Sequence, residues 1–347
     1  MSVRRTSTHF LLCFVVCSCW ILRGFAQSNN EFDHAVAEFR GGNYAQAAEL
    51  FARVETASPG ATDALLYRAK SLVHLKDFSA SEVTLRSYLQ SHRDSSDALY
   101  MLGFVLNRKN RPADSLTTYT QAAAITPPSS DDLKIVGLDY VLLDDYADAI
   151  KWLEKSVMLD SQNKEAWYFL GRAYYTKSRL SEARQAFQAI LKVDPHNARA
   201  ENNLGLILET EGKPAEAIEA YKKAVEWQQQ NSEMSEQPYV NLGKLLLEQG
   251  RTQDAAELLE KAAAIAPNNA FCHITLGVLY RKTGQMGRAQ QELVRATQLE
   301  PDSAVAHYQL GRLYKESNDL DRAKAEFDRT SELQGRAAGS KPVPQNP

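Results

Sequence analysis

Cysteine is scarce in this 347-residue chain, and Cys13, Cys17 and Cys19 all fall within its first 26 residues, leaving Cys272 as the only other thiol. One thiol cannot build a disulfide framework. Histidine is also sparse: past the first 26 residues, His34, His74, His92, His196, His273 and His307 are scattered without metal-ligand spacing. There is no glycine-rich phosphate loop and no G-x-S-x-G elbow. Cys272 and His273 could be a nucleophile and its base only if they met, and adjacent helical residues do not face each other. Both are read as packing residues. The carboxylate pairs Asp131-Asp132 and Asp144-Asp145 sit at expected turns or helix starts, where negative charge favours the helix dipole. No catalytic constellation remains, so the expectation is no enzyme, no metal and no cofactor.

Long apolar runs are missing as well. The longest, Phe10 to Leu22, falls short of the roughly 20 residues a membrane-spanning helix needs. Arg4-Arg5 precedes it and Gly24-Phe25-Ala26 follows, which is the layout of a secretory signal peptide over residues 1–26. The protein is therefore expected to be exported, periplasmic or secreted. Membrane contact is expected only if that segment stays on as an N-terminal anchor or is lipidated at Cys19. A basic excess is lacking too. The formal charge is −3, and Arg4, Arg5 and Arg23 lie in the leading segment, so the remainder is more acidic still. That balance argues against a nucleic-acid partner.

What the chain does have is a beat. Gly103, Gly137, Gly171 and Gly205 follow one another at an interval of 34, and Gly243, Gly277 and Gly311 resume it after a slip of four residues within 228–238. Counting back from Gly103 gives Ala69 and Ala35, so the frame holds nine repeats. Twelve residues after each anchor stands another small residue: Ala47, Ser81, Ser115, Ala149, Ala183, Ala217, Ala255, Ala289 and Ala323. A glycine inside a helix costs roughly 1 kcal/mol relative to alanine. Its return at one slot calls for close helix packing there.

Each repeat reads as two amphipathic helices joined by a short turn. Leu204, Ile207 and Leu208, then Ala217, Ile218, Tyr221, Ala224 and Val225, carry the apolar spacing of two helix faces, and Glu211-Gly212-Lys213-Pro214 is the turn between them. Proline closes several units, at Pro59, Pro127, Pro195, Pro267 and Pro301. In the fifth repeat Trp167, Leu170, Gly171, Tyr174, Ala183, Phe187 and Pro195 reproduce the W-x-x-L-G-x-x-Y…A-x-x-x-F…P pattern. The chain thus resembles the tetratricopeptide repeats. The resemblance implies an all-α fold, a right-handed superhelical solenoid over residues 27–335, while the Gly, Ser, Lys and Pro content of residues 336–347 reads as a disordered tail.

The same resemblance implies a use. The first helices of such repeats line a concave groove that takes up peptides or partner helices, so the expected role is a scaffold or adaptor for a protein or peptide partner, without a small-molecule cofactor. The alternatives are a structural subunit of a cell-envelope assembly that docks by its ends or convex face, and the binding arm of a larger enzyme. On that groove the expected peptide-binding residues are Tyr168, Arg172, Asn202, Asn203, Asn241, Lys244 and Arg312. Asn203 and Asn241 share one slot in successive repeats, which resembles the asparagine ladder of the superhelix in O-linked N-acetylglucosamine transferase. Lys70, Tyr100, Met101 and Phe104 fall on the same face, with the two aromatics also suited to interrepeat packing. Replacing Asn203, Asn241 and Lys244 together by alanine is expected to weaken capture and leave the fold intact.

Overall fold

The computed structural model describes residues 30–57, 62–229 and 234–339; the segment read as a signal lies outside them. Every regular element among the described residues is a helix, and no strand occurs. The chain forms two compact units, Met1–Lys177 and Ser178–Pro347.

In the first unit α1 covers 30–40. It is followed by α2 (Tyr44–Ala57), α3 (Thr62–His74), α4 (Phe78–Ser91), α5 (Ser96–Arg108), α6 (Pro112–Ala123), α7 (Ser130–Leu142), α8 (Tyr146–Leu159) and α9 (Lys164–Thr176). Helices adjacent in sequence pack together, and the first helices of neighbouring hairpins also touch, α5 on α7 and α7 on α9. The second unit contains α10 (Leu180–Val193), α11 (Ala198–Thr210), α12 (Pro214–Gln229), α13 (Gln237–Glu248), α14 (Thr252–Ile265), α15 (Ala270–Lys282), α16 (Met286–Leu299), α17 (Ala304–Glu316) and α18 (Leu320–Gly339). It repeats the arrangement, with α11 on α13, α13 on α15 and α15 on α17. Helix α18 continues past position 335, where the polar tail was expected to begin. Arg329 and Arg336 both pair with Glu332 along this last stretch.

The glycine beat is a packing device. A Cβ on Gly205 would stand 2.5 Å from the Tyr221 ring, one on Gly137 2.6 Å from Leu153 Cγ, and one on Gly243 2.7 Å from Leu259 Cγ. Each partner lies sixteen residues on, in the second helix of the same hairpin. The small residue twelve positions after the anchor completes the contact: Ser81 Oγ donates to Ala69 O and Ser115 Oγ reaches Gly103 O. Close approach of the two backbones then seats Phe51, Leu85, Leu153, Leu259 and Leu293 fully out of water.

Turns within the hairpins share one geometry. The second residue past the first helix is left-handed in every hairpin: Gly42, Gly212, Gly250 and Gly284, but also Lys76, Asn110, Asp144, Ser178 and Asn318. At the third hairpin Asn110 N donates to Asn107 O and Arg111 N to Leu106 O, which satisfies the carbonyls left over at the end of α5. At the other end of first helices, Ser95, Asn163, Asn197 and Ser303 accept from a backbone N–H of the first turn, and Ser129 forms a reciprocal box with Asp132.

The four-residue slip is partly taken up by α12, which has 16 residues where α10 and α14 have 14. The buried Gln228 amide then closes the connection, donating to Ser235 O at 3.0 Å and accepting from Ser235 N at 3.1 Å.

Candidate functional site

Position in the repeat decides which side chains can reach a ligand. In the first unit Lys70, Asp97, Tyr100, Met101, Phe104, Tyr119, Asp131, Asp132, Lys134 and Ile135 line an open cleft of about 500 Å³. The walls come from α3, α5, α6 and α7. Phe104 and Tyr100 pack beside Tyr119, Ile135 and Val136 yet still face the cleft, so they serve the core and its surface at once. Tyr100 donates its phenol to Thr126 O at 2.6 Å, which fixes the ring. Burial raises the pKa of that phenol, and the charge on Asp132 raises it further. Lys134 Nζ is held 2.8 Å from both Asp131 and Glu165, and it keeps the Asp131 carboxyl below its ordinary range. A second hollow of about 560 Å³ lies between α4, α5 and α6, lined by Arg86, Arg93, Leu99, Leu102 and Thr118 among others.

The residues expected from sequence divide between the units. Tyr168 and Arg172 stand one turn apart on α9, and Arg172 Nη1 donates to Tyr168 Oη at 3.3 Å. In the second unit the three asparagines are buried. Asn241 Nδ2 donates to Asn202 Oδ1 at 2.9 Å, while Asn203 Nδ2 turns back to Arg199 O at 2.7 Å. The pair that meets across α11 and α13 is therefore Asn202 with Asn241. Lys244 Nζ lies 2.8 Å from Glu209 on α11. Arg312 lies 3.7 Å from Glu316, which also pairs with the buried Arg281.

Cys272 is fully buried, and desolvation pushes its thiol up to about 12, far from a nucleophile's range. His273 sets Nδ1 2.6 Å from Glu292 and Nε2 3.0 Å from Pro267 O, and His307 repeats this with Glu326 and Pro301 O. Trp167 occupies the same slot and donates Nε1 to Ser161 O at 3.0 Å. In all three hairpins a ring nitrogen reaches the carbonyl six residues back. Among the described residues no group of three or more His, Cys, Asp or Glu side chains could hold a metal ion.

Sequence reasoning passed over Asp139. It is fully buried in α7, where other repeats place Val105, Ile207, Leu245 or Leu279. Its neighbours are Asn107 Nδ2 at 2.8 Å and Ser115 Oγ at 2.6 Å. Desolvation outweighs both hydrogen bonds and raises its carboxyl to about 6.

With hairpins and cleft in view, comparison with known proteins gives the class. Tetratricopeptide repeat models match residues 39–103, 141–207, 246–298 and 287–338, and a second such model matches 196–268. The chain belongs to the tetratricopeptide repeat family. Over 210 residues it is 28% identical to BBSome complex member BBS4 of Bos taurus, covering 59% of this chain and 40% of that protein. The match to anaphase-promoting complex subunit 3 of Schizosaccharomyces pombe is 20% over 234 residues, covering 67% of this chain and 34% of that one. The chain thus spans well under half the length of either relative. A solved tetratricopeptide repeat protein from Parabacteroides merdae superposes with a TM-score of 0.58 at 17% identity, covering 73% of this chain and 98% of that one. The likeness to that structure is one of fold.

Proposed function

We propose that the protein is an exported scaffold or adaptor that holds a protein or peptide partner on the first helices of its hairpins, without catalysis. The observation that carries this reading is the first unit's cleft, where Tyr100, Met101 and Phe104 face an open 500 Å³ hollow instead of being sealed into the core. A concave apolar surface with a few fixed polar groups is the usual form of a binding site. Family membership supports the same role, and the bovine and yeast relatives are named as members of complexes. Those names equally support a subunit that docks within an assembly, which stands as the second reading. Export rests on the Arg4-Arg5, Phe10–Leu22 and Gly24-Phe25-Ala26 sequence alone.

The test has two arms. Terminal sequencing of the protein recovered from its own cells should begin at Gln27, and a chain still starting at Met1 would overturn export by cleavage. Crosslinked partners should be recovered with the wild type and lost with Phe104→Ser. Equal recovery by both would move the contact away from the cleft and favour docking by another face.

A further inference from the structure

The first unit's cleft is apolar on its floor and acidic along one rim. Tyr100, Met101, Phe104 and Ile135 form the floor, and Asp97 and Asp131 stand at the rim. These two occupy the same position, six residues before the anchor, in α5 and α7. The position is also acidic in the neighbouring first helices, with Asp63 in α3 and Glu165 in α9. A carboxylate in a first turn favours the helix dipole. Dipole stabilisation alone does not account for the row, because the second unit places Arg199, Gln237, Phe271 and Val305 at the same position.

Local cations leave the row negative. Lys134 is shared between Asp131 and Glu165, Arg172 is hydrogen-bonded to Tyr168, and Lys70, which also lines the cleft, is held over the Tyr67 ring. Asp97 has no ion-pair partner among the described residues and is exposed. A cation entering here would meet both carboxylates and the aromatic rings of Tyr100 and Phe104, a lining that favours Lys or Arg. Packed helices lie about 8–10 Å apart, and a polyproline II segment, with three residues per turn and about 3.1 Å of rise per residue, returns a side chain to the same face about 9 Å on. Successive rim carboxylates are therefore spaced for side chains about three residues apart.

Resting on the reading that the cleft holds a peptide, we infer that its occupant is a protein segment in polyproline II conformation carrying Lys or Arg at about every third residue, with an apolar or aromatic side chain between. The rim carboxylates take the cations, and the floor takes the apolar side chain.

Panning a random heptapeptide display library on the full chain tests this directly, with the enriched peptide labelled and titrated by fluorescence anisotropy. Enrichment of paired Lys or Arg with this spacing is expected, together with weakening at high salt. Asp97→Lys should raise Kd about tenfold or more, and Asp97→Asn by less. Both variants should stay folded because Asp97 is exposed, with Asp97→Lys melting slightly lower since a cation then replaces a carboxylate in the first turn of α5. Replacing the peptide's basic residues with Gln should cost about as much as Asp97→Lys, while a scrambled peptide of equal charge should bind more weakly than the selected one. Enriched peptides that are acidic or uncharged, or basic peptides indifferent to Asp97→Lys, would overturn the inference and leave peptide binding standing. No enrichment at all would bring down both.

Discussion

Ser115 Oγ lies 2.6 Å from Asp139 Oδ2 and 2.9 Å from Gly103 O. A hydroxyl carries one proton, so it cannot donate to a carboxylate and a carbonyl together. Both contacts are satisfied if Asp139 is itself protonated: its O–H donates to Ser115, Ser115 donates to Gly103 O, and Asn107 donates to the other carboxyl oxygen at 2.8 Å. Geometry and the raised carboxyl agree on an acid that keeps its proton up to about pH 6 within the α5–α7 packing.

Stability should follow that proton. A carboxyl whose folded pKa is raised binds more protons folded than unfolded, so its contribution is fully present below the unfolded value and is lost as pH rises through the folded one. For Asp139 the window runs from the ordinary 3.8 to about 6. Asp139→Asn keeps the shape and can donate to Ser115 Oγ at every pH. Urea midpoints at pH 4 and pH 7.5 should therefore show the variant gaining on the wild type by roughly 2–3 kcal/mol across that range. A difference that is flat with pH would mean that Asp139 is ionised throughout.

Glu82 should behave in the opposite sense. Burial works against its charge, but hydrogen bonds from Lys109 and Arg86 and the fields of Lys109 and Arg111 outweigh it, bringing the carboxyl down to about 2. The three cations stand 2.8–2.9 Å away, and two of them, Lys109 and Arg111, tie α4 to the turn after α5. A depressed carboxyl contributes stability above its unfolded pKa and loses it as pH falls toward the folded value. Glu82→Gln is expected to cost about 1–2 kcal/mol at neutral pH, after allowance for solvent screening. The cost should shrink between pH 4.5 and pH 2, as read from thermal midpoints. A pH-independent cost would indicate lost packing instead of lost charge.

Glycine at the anchor should resist even the smallest addition. A methyl on Gly243 would meet Leu259 Cγ at 2.7 Å and Cδ2 at 2.8 Å, with Ala255 O 3.4 Å behind. Leu259 is fully buried and cannot swing into water. Gly243→Ala should therefore lose about 1–3 kcal/mol by overpacking, although alanine is the better helix former by roughly 1 kcal/mol. An unchanged or raised melting midpoint would show that the two helices part without cost.

The left-handed turn slot offers a gain. Lys76 holds φ 61° and Asn110 φ 57° at equivalent turns. A β-carbon is disfavoured in that region, whereas asparagine tolerates it better and glycine adopts it freely. Lys76→Gly is expected to stabilise by about 0.5–1 kcal/mol, and Asn110→Gly to change little. Equal effects at the two sites in chemical denaturation would contradict strain as the cause.

Much of this was written in the sequence, but unevenly. The anchor glycines were legible because one cause, contact with the residue sixteen positions on, recurs in repeat after repeat. The turn was legible only where glycine filled it; Lys76, Asp144 and Ser178 hide the same backbone under ordinary side chains. Ser95, Ser129, Asn163 and Ser303 recur eight residues before the anchor, a capping signal that was present and passed over. Asp139 was equally visible as a charge in an apolar slot. The cleft was legible in part, through Lys70, Tyr100, Met101 and Phe104, whereas its acidic rim emerges when equivalent positions are compared helix by helix. The asparagine partners were not legible. Register alone does not say whether Asn241 meets the equivalent Asn203 or its neighbour Asn202, because that depends on how α13 is turned against α11.

That last detail changes what alanine would do in the second unit. Asn241 and Asn202 are buried and share a 2.9 Å hydrogen bond, so removing one amide strands the other. An unsatisfied buried polar group costs about 1–3 kcal/mol. Asn241→Ala should therefore lower the melting midpoint, contrary to the expectation that alanine at Asn203, Asn241 and Lys244 leaves the fold untouched. Asn202→Ala combined with Asn241→Ala should cost less than the sum of the single changes, because the double variant leaves neither amide behind. Additive losses in a double-mutant cycle would mean that the two side chains are satisfied separately and that the bond between them adds no stability.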